Sequence, residues 1–226
     1  MQATKGRTIE KMVEEQIHQW QLSTKGKKRA EKQGVSVITV SRQPGSQGDK
    51  IAAMLAESLG FTLFGRDIMQ KMAESAHINA RILETVDEKG LNLLEESIAT
   101  LIEDRHLWPD QYLKHLMKVI STIARHGKAV IIGRGAHFIL RHEQTLCLRI
   151  IAPRKTRIKR LAGQQGVSEG EARRMILKSE SDRHAFSRKY FYADIDDPEN
   201  YDLILNTGKL TPMAIISAVG KLIEPS

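Results

Sequence analysis

Short runs of β-branched and other apolar residues recur along the chain, and longer stretches with helical spacing separate them. The runs are VSVITVS, FTLF, KAVIIG, TLCLRII and YDLILNT. Strands that are apolar on both faces are typical of a parallel sheet that helices cover on each side. The alternation of strands and helices therefore predicts a three-layer α/β/α sandwich with a mostly parallel five-stranded sheet.

Several helix ends are marked by residues that begin or stop helices. Gly60 follows DKIAAMLAESL and is a stop signal, while Ser168 and Glu171 form a capping box for a long basic helix. Thr211 and Pro212 open the last helix, with proline at its first position. The region from about 67 to 126 is helical, and we expect breaks at EKG and at HLWPD.

The first 34 residues differ from the rest of the chain. Five apolar residues at helical spacing predict an amphipathic helix over 8–22: Ile9, Met12, Val13, Ile17 and Trp20. The basic stretch STKGKKRAEKQG that follows reads as a solvated linker. We therefore divide the chain into an N-terminal helix and linker, 1–34, and a main domain, 35–226. The apolar face of the helix packs either on the main domain or on a partner subunit, and the second alternative would give a homo-oligomer.

Composition and charge narrow the class of protein. The chain has 226 residues and a formal net charge of +8, which suits nucleic acid, an anionic membrane surface or small polyanions such as nucleotides. Cys147 is the single cysteine and lies in an apolar run, so a buried thiol and a reducing, cytoplasmic location are expected. No apolar run approaches the roughly 20 residues that span a bilayer, so no membrane association is expected.

The first strand runs into a turn that has the layout of a phosphate site. In parallel α/β sheets, ligands bind at the carboxyl ends of strands, where helix N-termini present unpaired N–H groups. In SRQPGSQGDK, Gly45 and Gly48 permit close approach of an anion, and Ser46 and the backbone of Gln47 add donors. On these residues alone, a phosphate site and a plain strand–helix turn are equally good readings.

This turn departs from the usual phosphate-loop pattern, G-x-x-x-x-G-K-[ST]. With Gly48 as the second glycine, Asp49 stands at the lysine position and Lys50 at the Ser/Thr position. Arg42 in the turn and Lys50 in the first helical turn are the candidates to replace the missing lysine. A cation at a helix N-terminus opposes the dipole unless an anion is bound, which favours a phosphate there.

Further arginines follow other strands. VIIGRGAHFIL places Arg134 between two glycines at a strand end, where a guanidinium can grip phosphate or carboxylate. FGRDIM places Arg66 and Asp67 after the second strand, where Asp67 either caps the next helix or joins Arg66 beside a substrate. Arg183 and Arg188 belong to the long basic helix and could form a closing flap, because phosphoryl transfer needs cations around the migrating group.

Taken together, five segments resemble the cytidylate kinase-like family, relatives of the nucleoside monophosphate kinases in the P-loop kinase superfamily. They are ITVSRQPGSQGDKIAAMLAESLGF, FGRDIM, VIIGRGAHFIL, LRIIAPRKTRIKRL and YDLILNTGKL, and the likeness covers roughly 35–223. The resemblance implies a P-loop kinase fold with a helical lid. It also implies transfer of the γ-phosphate of ATP, with Mg²⁺, to CMP or dCMP. No Mg²⁺ ligand is assigned from the sequence.

The resemblance also implies roles for individual residues. Residues 42–50 would hold the ATP phosphates, Arg134 matches an arginine that contacts the acceptor, and Arg66 and Asp67 fall in the acceptor site. Arg183 and Arg188 match lid arginines around the transferred phosphate. The residues implied for the ATP phosphates are Arg42, Gly45, Ser46, Gln47, Gly48, Asp49 and Lys50. Cytidylate kinases carry lysine where this chain has Asp49, and aspartate where it has Gly135.

Three functions remain open at this point. The first is a nucleoside monophosphate kinase, with CMP as the first-choice acceptor. The second is a nucleotide-binding regulator whose degenerate loop supports little or no transfer. The third is a basic nucleic-acid-binding module, which we rank lowest because basic and acidic residues interleave and aromatic residues make up only 5% of the chain.

Overall fold

The computed structural model describes residues 8–24, 34–140 and 144–223. Its centre is a sheet of five parallel strands in the order β2-β3-β1-β4-β5. The strands are β1 (Val37–Arg42), β2 (Thr62–Phe64), β3 (Ala129–Ile132), β4 (Thr145–Ile151) and β5 (Leu203–Asn206). Most of the predicted basic linker lies outside the described residues, and the division of the chain at 34/35 stays a prediction.

Helices cover both faces of this sheet, so the predicted three-layer sandwich is confirmed. Within the described residues the α-helices are α1 (Ile9–Thr24), α2 (Gly48–Leu59), α3 (Arg66–Glu74), α4 (Ala76–Leu83), α5 (Glu88–Asp104), α6 (Gln111–His126), α7 (Ala136–Ile139), α8 (Arg154–Gln165), α9 (Glu169–Phe191) and α10 (Pro212–Ile223). A short 3₁₀ helix spans Pro198–Asn200.

Most predicted helix ends are confirmed, and one break moves. Gly60 is the left-handed C-cap of α2, and Ser168 Oγ accepts from the N–H of Glu171 at 3.1 Å. The break predicted at EKG is misplaced, because α5 begins at Glu88. Asp87 caps this helix by accepting from the N–H of Gly90 at 3.0 Å, so the chain breaks just before the predicted point.

The register of the central strands brings three strand ends together. Val40 of β1 lies opposite Ile132 of β3 and opposite Leu148 of β4. All six residues of β1 are buried, as expected for the middle of a covered sheet. The turns after β1, β3 and β4 therefore meet at one edge of the sheet.

Two apolar clusters hold the layers together. On one face, Ile51 and Leu55 of α2 pack with Ile215 and Val219 of α10 against the sheet. On the other face, a larger cluster joins α3, α6 and α7 to the opposite side of the strands and includes Phe138. Helices on both faces fix the strand ends, so the residues that follow them are held in place.

The N-terminal helix α1 packs on the main domain of its own chain. Val13, Ile17 and Trp20 are buried in the larger cluster, and the Trp20 ring stacks on His126 with centroids 4.5 Å apart. Lys71 Nζ lies 2.9 Å from Glu10 Oε1, which ties α1 to α3. The apolar face is thus used within the chain, and a homo-oligomer through this helix stays a prediction.

Two expectations about the environment of the chain concern Cys147 and the membrane. The Cys147 thiol is buried, as predicted, and donates to the carbonyl of Leu140 at 3.8 Å. In the part of the chain that the structure describes, no helix has both the length and the apolar character that a membrane crossing requires.

Candidate functional site

The turn after β1 ends at a helix N-terminus that no side chain caps. Gln47 is the N-cap of α2 with φ 64°, and it makes no side-chain cap hydrogen bond. Gly45 also has a positive φ, 75°, and Ser46 is fully buried. The first N–H groups of a helix lack intrahelical partners, and the dipole makes this end positive. The geometry is that of a site for an anion.

Contacts from three directions hold the turn in place. The Ser46 hydroxyl donates to the carbonyl of Gln43 at 2.8 Å, and the Thr207 hydroxyl donates to the carbonyl of Ser46 at 2.8 Å. A Cβ at Gly45 would lie 2.6 Å from the carbonyl oxygen of Arg157, so only glycine fits against α8 there. The turn is therefore preorganised by its surroundings.

Arg42 occupies the inside of this turn. A Cβ at Gly48 would lie 2.4 Å from the Cβ of Arg42, so the arginine side chain runs directly over the first residue of α2. Its Nη2 and Nε donate to Asp49 Oδ1 at 3.0 and 3.2 Å. Arg42 is 9% exposed, and a buried guanidinium thus stands where the turn lacks its lysine.

The other two predicted cations of the loop and lid lie elsewhere. Lys50 is exposed on the first turn of α2. Arg188 is also exposed, and α9 is continuous from Glu169 to Phe191. Five residues correspond to about 140° around a helix, so Arg188 and Arg183 point to different sides. Their proposed roles beside phosphate stay predictions.

The turn after β3 carries three consecutive residues with positive φ. Gly133, Arg134 and Gly135 have φ of 73°, 52° and 68°. A left-handed conformation is uncommon for a residue with a side chain and tends to occur at functional sites. The Arg134 side chain donates from Nη2 to Gln70 Oε1, and its guanidinium lies 5.6 Å from the centre of the Phe186 ring.

Gly135 has no room for a side chain. A Cβ at this position would lie 2.2 Å from Cε2 of Phe191. An aspartate after Arg134 would therefore require α9 to shift. With this backbone and this placement of α9, position 135 has no room for a carboxylate side chain.

Arg66 and Asp67 begin α3, as their sequence position predicts. Arg66 Nε donates to Asp67 Oδ1 at 3.3 Å, and both side chains are more than half exposed. Asp67 does not cap the helix, because Gly65 is the N-cap. The reading of Asp67 as a helix cap is therefore wrong. Arg66 lines the cleft described below, and a role for Asp67 beside a substrate stays a prediction.

Arg183 reaches from α9 to the end of β1. Its Nη1 donates to the main-chain carbonyl of Arg42. Burial, and then the positive charge of Arg42, lower the pKa of Arg183 to about 9. The side chain is still charged at neutral pH, but its surroundings compensate that charge incompletely. A bound anion would supply the missing compensation.

Arg149 is a site residue that the sequence reasoning missed. It lies in β4 and is 5% exposed, and its Nη1 donates to the Ser41 hydroxyl at 2.7 Å. Its Nη2 donates to Asp196, which anchors the segment after α9. A charge inside the apolar run TLCLRII was the available signal, because buried arginines are rare unless paired.

A group of possible metal ligands lies beside Arg149. His184, Asp194 and Asp196 each present a ligand atom within 4.8 Å of the others. His184 Nε2 lies 3.2 Å from Asp196 Oδ2, and Asp196 is already paired with Arg149. Asp196 thus already has a cationic partner, and both carboxylates are exposed, so we assign no metal to this group.

Some of these residues line a cleft at the carboxyl edge of the sheet, whereas residues 43–50 of the turn are not among its lining residues. Its volume is about 130 Å³. Arg42 comes from β1, Arg66 from α3, Arg134 from the β3 turn and Arg183 from α9, so four separate elements converge on it. The other lining residues are Ser41, Gly133, Gly135, His137, Asp182, Phe186, Ser187 and Ile195. Four cations around one small cleft can hold a polyanion such as a nucleotide phosphate chain.

The five-stranded parallel sheet, with helices on both faces and this cleft at its carboxyl edge, is the α/β fold that the sequence predicts. Comparison with known proteins gives the family. The chain belongs to the cytidylate kinase-like family, whose model matches residues 37–209.

Individual relatives agree with this assignment. A cytidylate kinase of Ignicoccus hospitalis is 26% identical over 190 residues, which cover 84% of this chain and 99% of the relative. A cytidylate kinase of Methanopyrus kandleri is 28% identical and covers 84% and 93%. An uncharacterised protein of Eubacterium ventriosum has the same fold, with a TM-score of 0.59, 21% identity and coverage of 84% and 99%.

Proposed function

We propose that this protein transfers the γ-phosphate of ATP to a nucleoside monophosphate, with CMP or dCMP as the preferred acceptor. The observation that carries the proposal is the convergence of Arg42, Arg66, Arg134 and Arg183 on the cleft beside the N-terminus of α2. Relatives that are named cytidylate kinases support the same activity.

The division of labour follows from the positions of the residues. The turn 42–50 holds the ATP phosphates through backbone N–H groups and Arg42. Arg134 and Arg66 hold the acceptor. An oxygen of the acceptor phosphate attacks the γ-phosphorus, the bond from the γ-phosphorus to the bridging oxygen breaks, and ADP leaves. Arg183 neutralises charge on the phosphoryl group in transit, because catalysis of this transfer is mainly positioning and electrostatic stabilisation.

The residues around the cleft also fit Mg²⁺ that arrives with ATP. Mg²⁺ is usually held by one or two carboxylates together with substrate phosphates. Asp49 stands at the start of α2 with its side chain about half exposed, and Asp182 lines the cleft on α9. We assign these two carboxylates as the candidates to contact the ion, which would neutralise phosphate charge.

The proposal is tested by following ADP formation with ATP, Mg²⁺ and each of CMP, dCMP, UMP, AMP and GMP in turn. We expect acceptor-dependent ADP with CMP or dCMP above the others. No ADP above background with any acceptor would rule out the kinase function.

Replacing Arg42 and Lys50 in turn tests which of them takes the place of the lysine that the loop lacks. Arg42→Gln should lower kcat at least about a hundredfold, because it removes a buried donor from the phosphate site. Lys50→Gln should cost less, because Lys50 is exposed. Lys221→Gln, which removes a charge on α10, is the matched control and should leave kcat unchanged. A larger loss for Lys50→Gln than for Arg42→Gln would reverse the assignment.

One observation favours a second function, a nucleotide-binding regulator with little or no turnover. Arg42 is already paired with Asp49, and the loop lacks the usual lysine. ATP binding by calorimetry, without ADP formation under any acceptor, is the result that this alternative predicts.

A further inference from the structure

Arg134, which lines the cleft, and Tyr112, on α6, each carry a buried polar atom that lacks a partner among the described residues. Within the described residues, neither the Nε of Arg134 nor the hydroxyl of Tyr112 makes a hydrogen bond. Leaving a buried donor or acceptor unsatisfied costs about 1–3 kcal/mol, so such atoms call for an explanation. Thr39 and Thr122 also have unpartnered hydroxyls, but both lie in the fully covered core, away from any opening.

Tyr112 and Arg134 belong to the same region of the site. The Tyr112 ring lies 5.9 Å from the Tyr190 ring, which lies 4.9 Å from Phe186, and Phe186 in turn contacts Arg134. Burial raises the pKa of Tyr112, and the positive charge of Arg134 acts in the opposite direction. The two unpartnered atoms therefore lie within electrostatic reach of each other.

The chemistry of the region around Tyr112 and Arg134 suits the flat, polar ring of a base better than a phosphate. Aromatic rings surround it on two helices: Tyr112 on α6, and Phe186 and Tyr190 one turn apart on α9. The Gln70 amide on α3 is held in one orientation, since it accepts from Arg134 and donates to Glu74 Oε1 at 2.6 Å. A base edge offers acceptors for the Arg134 N–H and both donors and acceptors for a hydroxyl.

We propose that the Tyr112 hydroxyl and the Nε of Arg134 bind the base of the acceptor nucleotide, so that Tyr112 is a specificity residue. The inference rests on the proposed kinase function. It also explains how the base could be recognised although position 135 has no room for a carboxylate. Because Phe186 packs on Arg134 and Tyr190 packs on Tyr112, a base could reach the two polar atoms only if α9 moved, as a lid over the acceptor would.

The variant Tyr112→Phe removes the hydroxyl and nothing else. Since this hydroxyl has no partner in the free protein, the change should leave the melting temperature equal or raise it. Acceptor binding should weaken, with Kd and KM for the preferred monophosphate rising about three- to tenfold, the range expected for one lost hydrogen bond. The KM for ATP should not change.

Tyr192→Phe is the matched control. Tyr192 is the C-cap of α9 and is 61% exposed, and it is not one of the rings that pack around Tyr112 and Arg134. We expect this variant to keep both the acceptor affinity and the melting temperature. A loss of acceptor affinity in Tyr112→Phe alone separates base binding by this hydroxyl from a general effect of removing a tyrosine hydroxyl.

Calorimetry with CMP, UMP, AMP and GMP, without ATP, reads binding directly. The expected result is weaker binding and a smaller preference among the four for Tyr112→Phe. Wild-type protein that binds and phosphorylates a monophosphate, with no change in Tyr112→Phe, overturns this inference alone. Wild-type protein that neither binds nor phosphorylates any of them overturns the proposed function as well.

Discussion

At the scale of single residues, arginines rather than a lysine of the loop supply the positive charge around the site. Arg42 and Arg149 are buried and Arg183 is partly buried, and each donates to main-chain or side-chain oxygens. A guanidinium is more weakly hydrated than an ammonium group and binds two oxygens at once, so it tolerates burial better. A phosphate site built on arginine is therefore a physically reasonable replacement for the usual loop.

Arg183 gives a prediction that depends on pH. Its pKa is lowered from the usual arginine value to about 9, so the unfolded chain binds this proton more tightly than the folded protein does. The resulting destabilisation is fully present below pH 9 and fades as the pH rises above about 9 towards the pKa of arginine in the unfolded chain. Arg183→Gln should thus stabilise the nucleotide-free protein at pH 7.5, and its advantage should shrink at pH 10.

Urea unfolding at pH 7.5 and pH 10 measures this difference. The same variant should lose most of the increase in melting temperature that ATP gives the wild type, since the anion compensates Arg183. A variant that is less stable than the wild type at pH 7.5 and equally stabilised by ATP would contradict the assignment.

Alanine substitutions at Gly135 and Gly166 separate two costs to stability, the strain of a left-handed backbone and the crowding of an added side chain. Gly135 and Gly166 both have φ of 68°, but a Cβ at Gly166 meets nothing within 4 Å, whereas one at Gly135 meets the Phe191 ring. Gly166→Ala should cost about 1–2 kcal/mol from the left-handed backbone alone. Gly135→Ala should cost a further ~1–3 kcal/mol from overpacking.

Denaturant unfolding of the two alanine variants gives the difference in free energy. Equal losses in the two variants would mean that the Phe191 contact is unimportant. A larger loss for Gly135→Ala would support the conclusion that position 135 cannot carry a side chain that reads the acceptor.

The sequence predicted the turns that border the site, but not all of its residues. Arg42 and Arg134 could be identified because each lies at the end of a strand and close to glycines, and parallel strands bring their carboxyl ends to one edge of the sheet. Tyr112 carried no such mark, since it lies on a helix far from those turns along the chain. Arg149 was overlooked because its contacts with Ser41 and Asp196 join segments 108 and 47 residues away.

At the scale of elements, local signals located most helices and strands. The caps at Gly60 and Ser168 act within a few residues, so the sequence predicts them well. The helix boundaries in the long region between β2 and β3 were harder to predict, because its four helices are separated by tertiary packing as well as by local breaks. The short helix α7 was not predicted, and at four residues it leaves no periodic pattern.

The N-terminal helix α1 precedes the residues that the family model matches, yet it completes the apolar core. Trp20 is 7% exposed and packs on His126 and on Phe64, where the ring centroids are 5.9 Å apart. Trp20→Ala should therefore lower the free energy of unfolding by about 3 kcal/mol or more. Leu22→Ala, at a position that is 63% exposed, should change it by less than about 0.5 kcal/mol.

Equilibrium unfolding in urea measures the change in the free energy of unfolding for both variants. Salt should change the result little, because the ion pairs of α1 are exposed and exposed pairs contribute little to stability. An equally small effect for the two variants would show that α1 does not dock on the main domain in solution.

At the scale of the whole molecule, the net positive charge does not come from the buried arginines. Arg42, Arg149 and Arg157 are buried and paired with Asp49, Asp196 and Glu180, so these neutral pairs contribute nothing to the formal net charge of +8. Nucleic acids bind cations that are exposed as a patch or stripe. The buried arginines are therefore not available to a nucleic acid, and the nucleic-acid-binding alternative would have to rest on the other basic residues.

The central claim is that a phosphoryl group passes from ATP to an acceptor nucleotide within this cleft. The most direct test uses ATP labelled in the γ-phosphate, with Mg²⁺ and CMP, and separates the products. We predict that the label appears in CDP, that it requires CMP, and that Arg134→Ala sharply reduces it. Label found only in inorganic phosphate, or left in ATP with every monophosphate, would contradict the account.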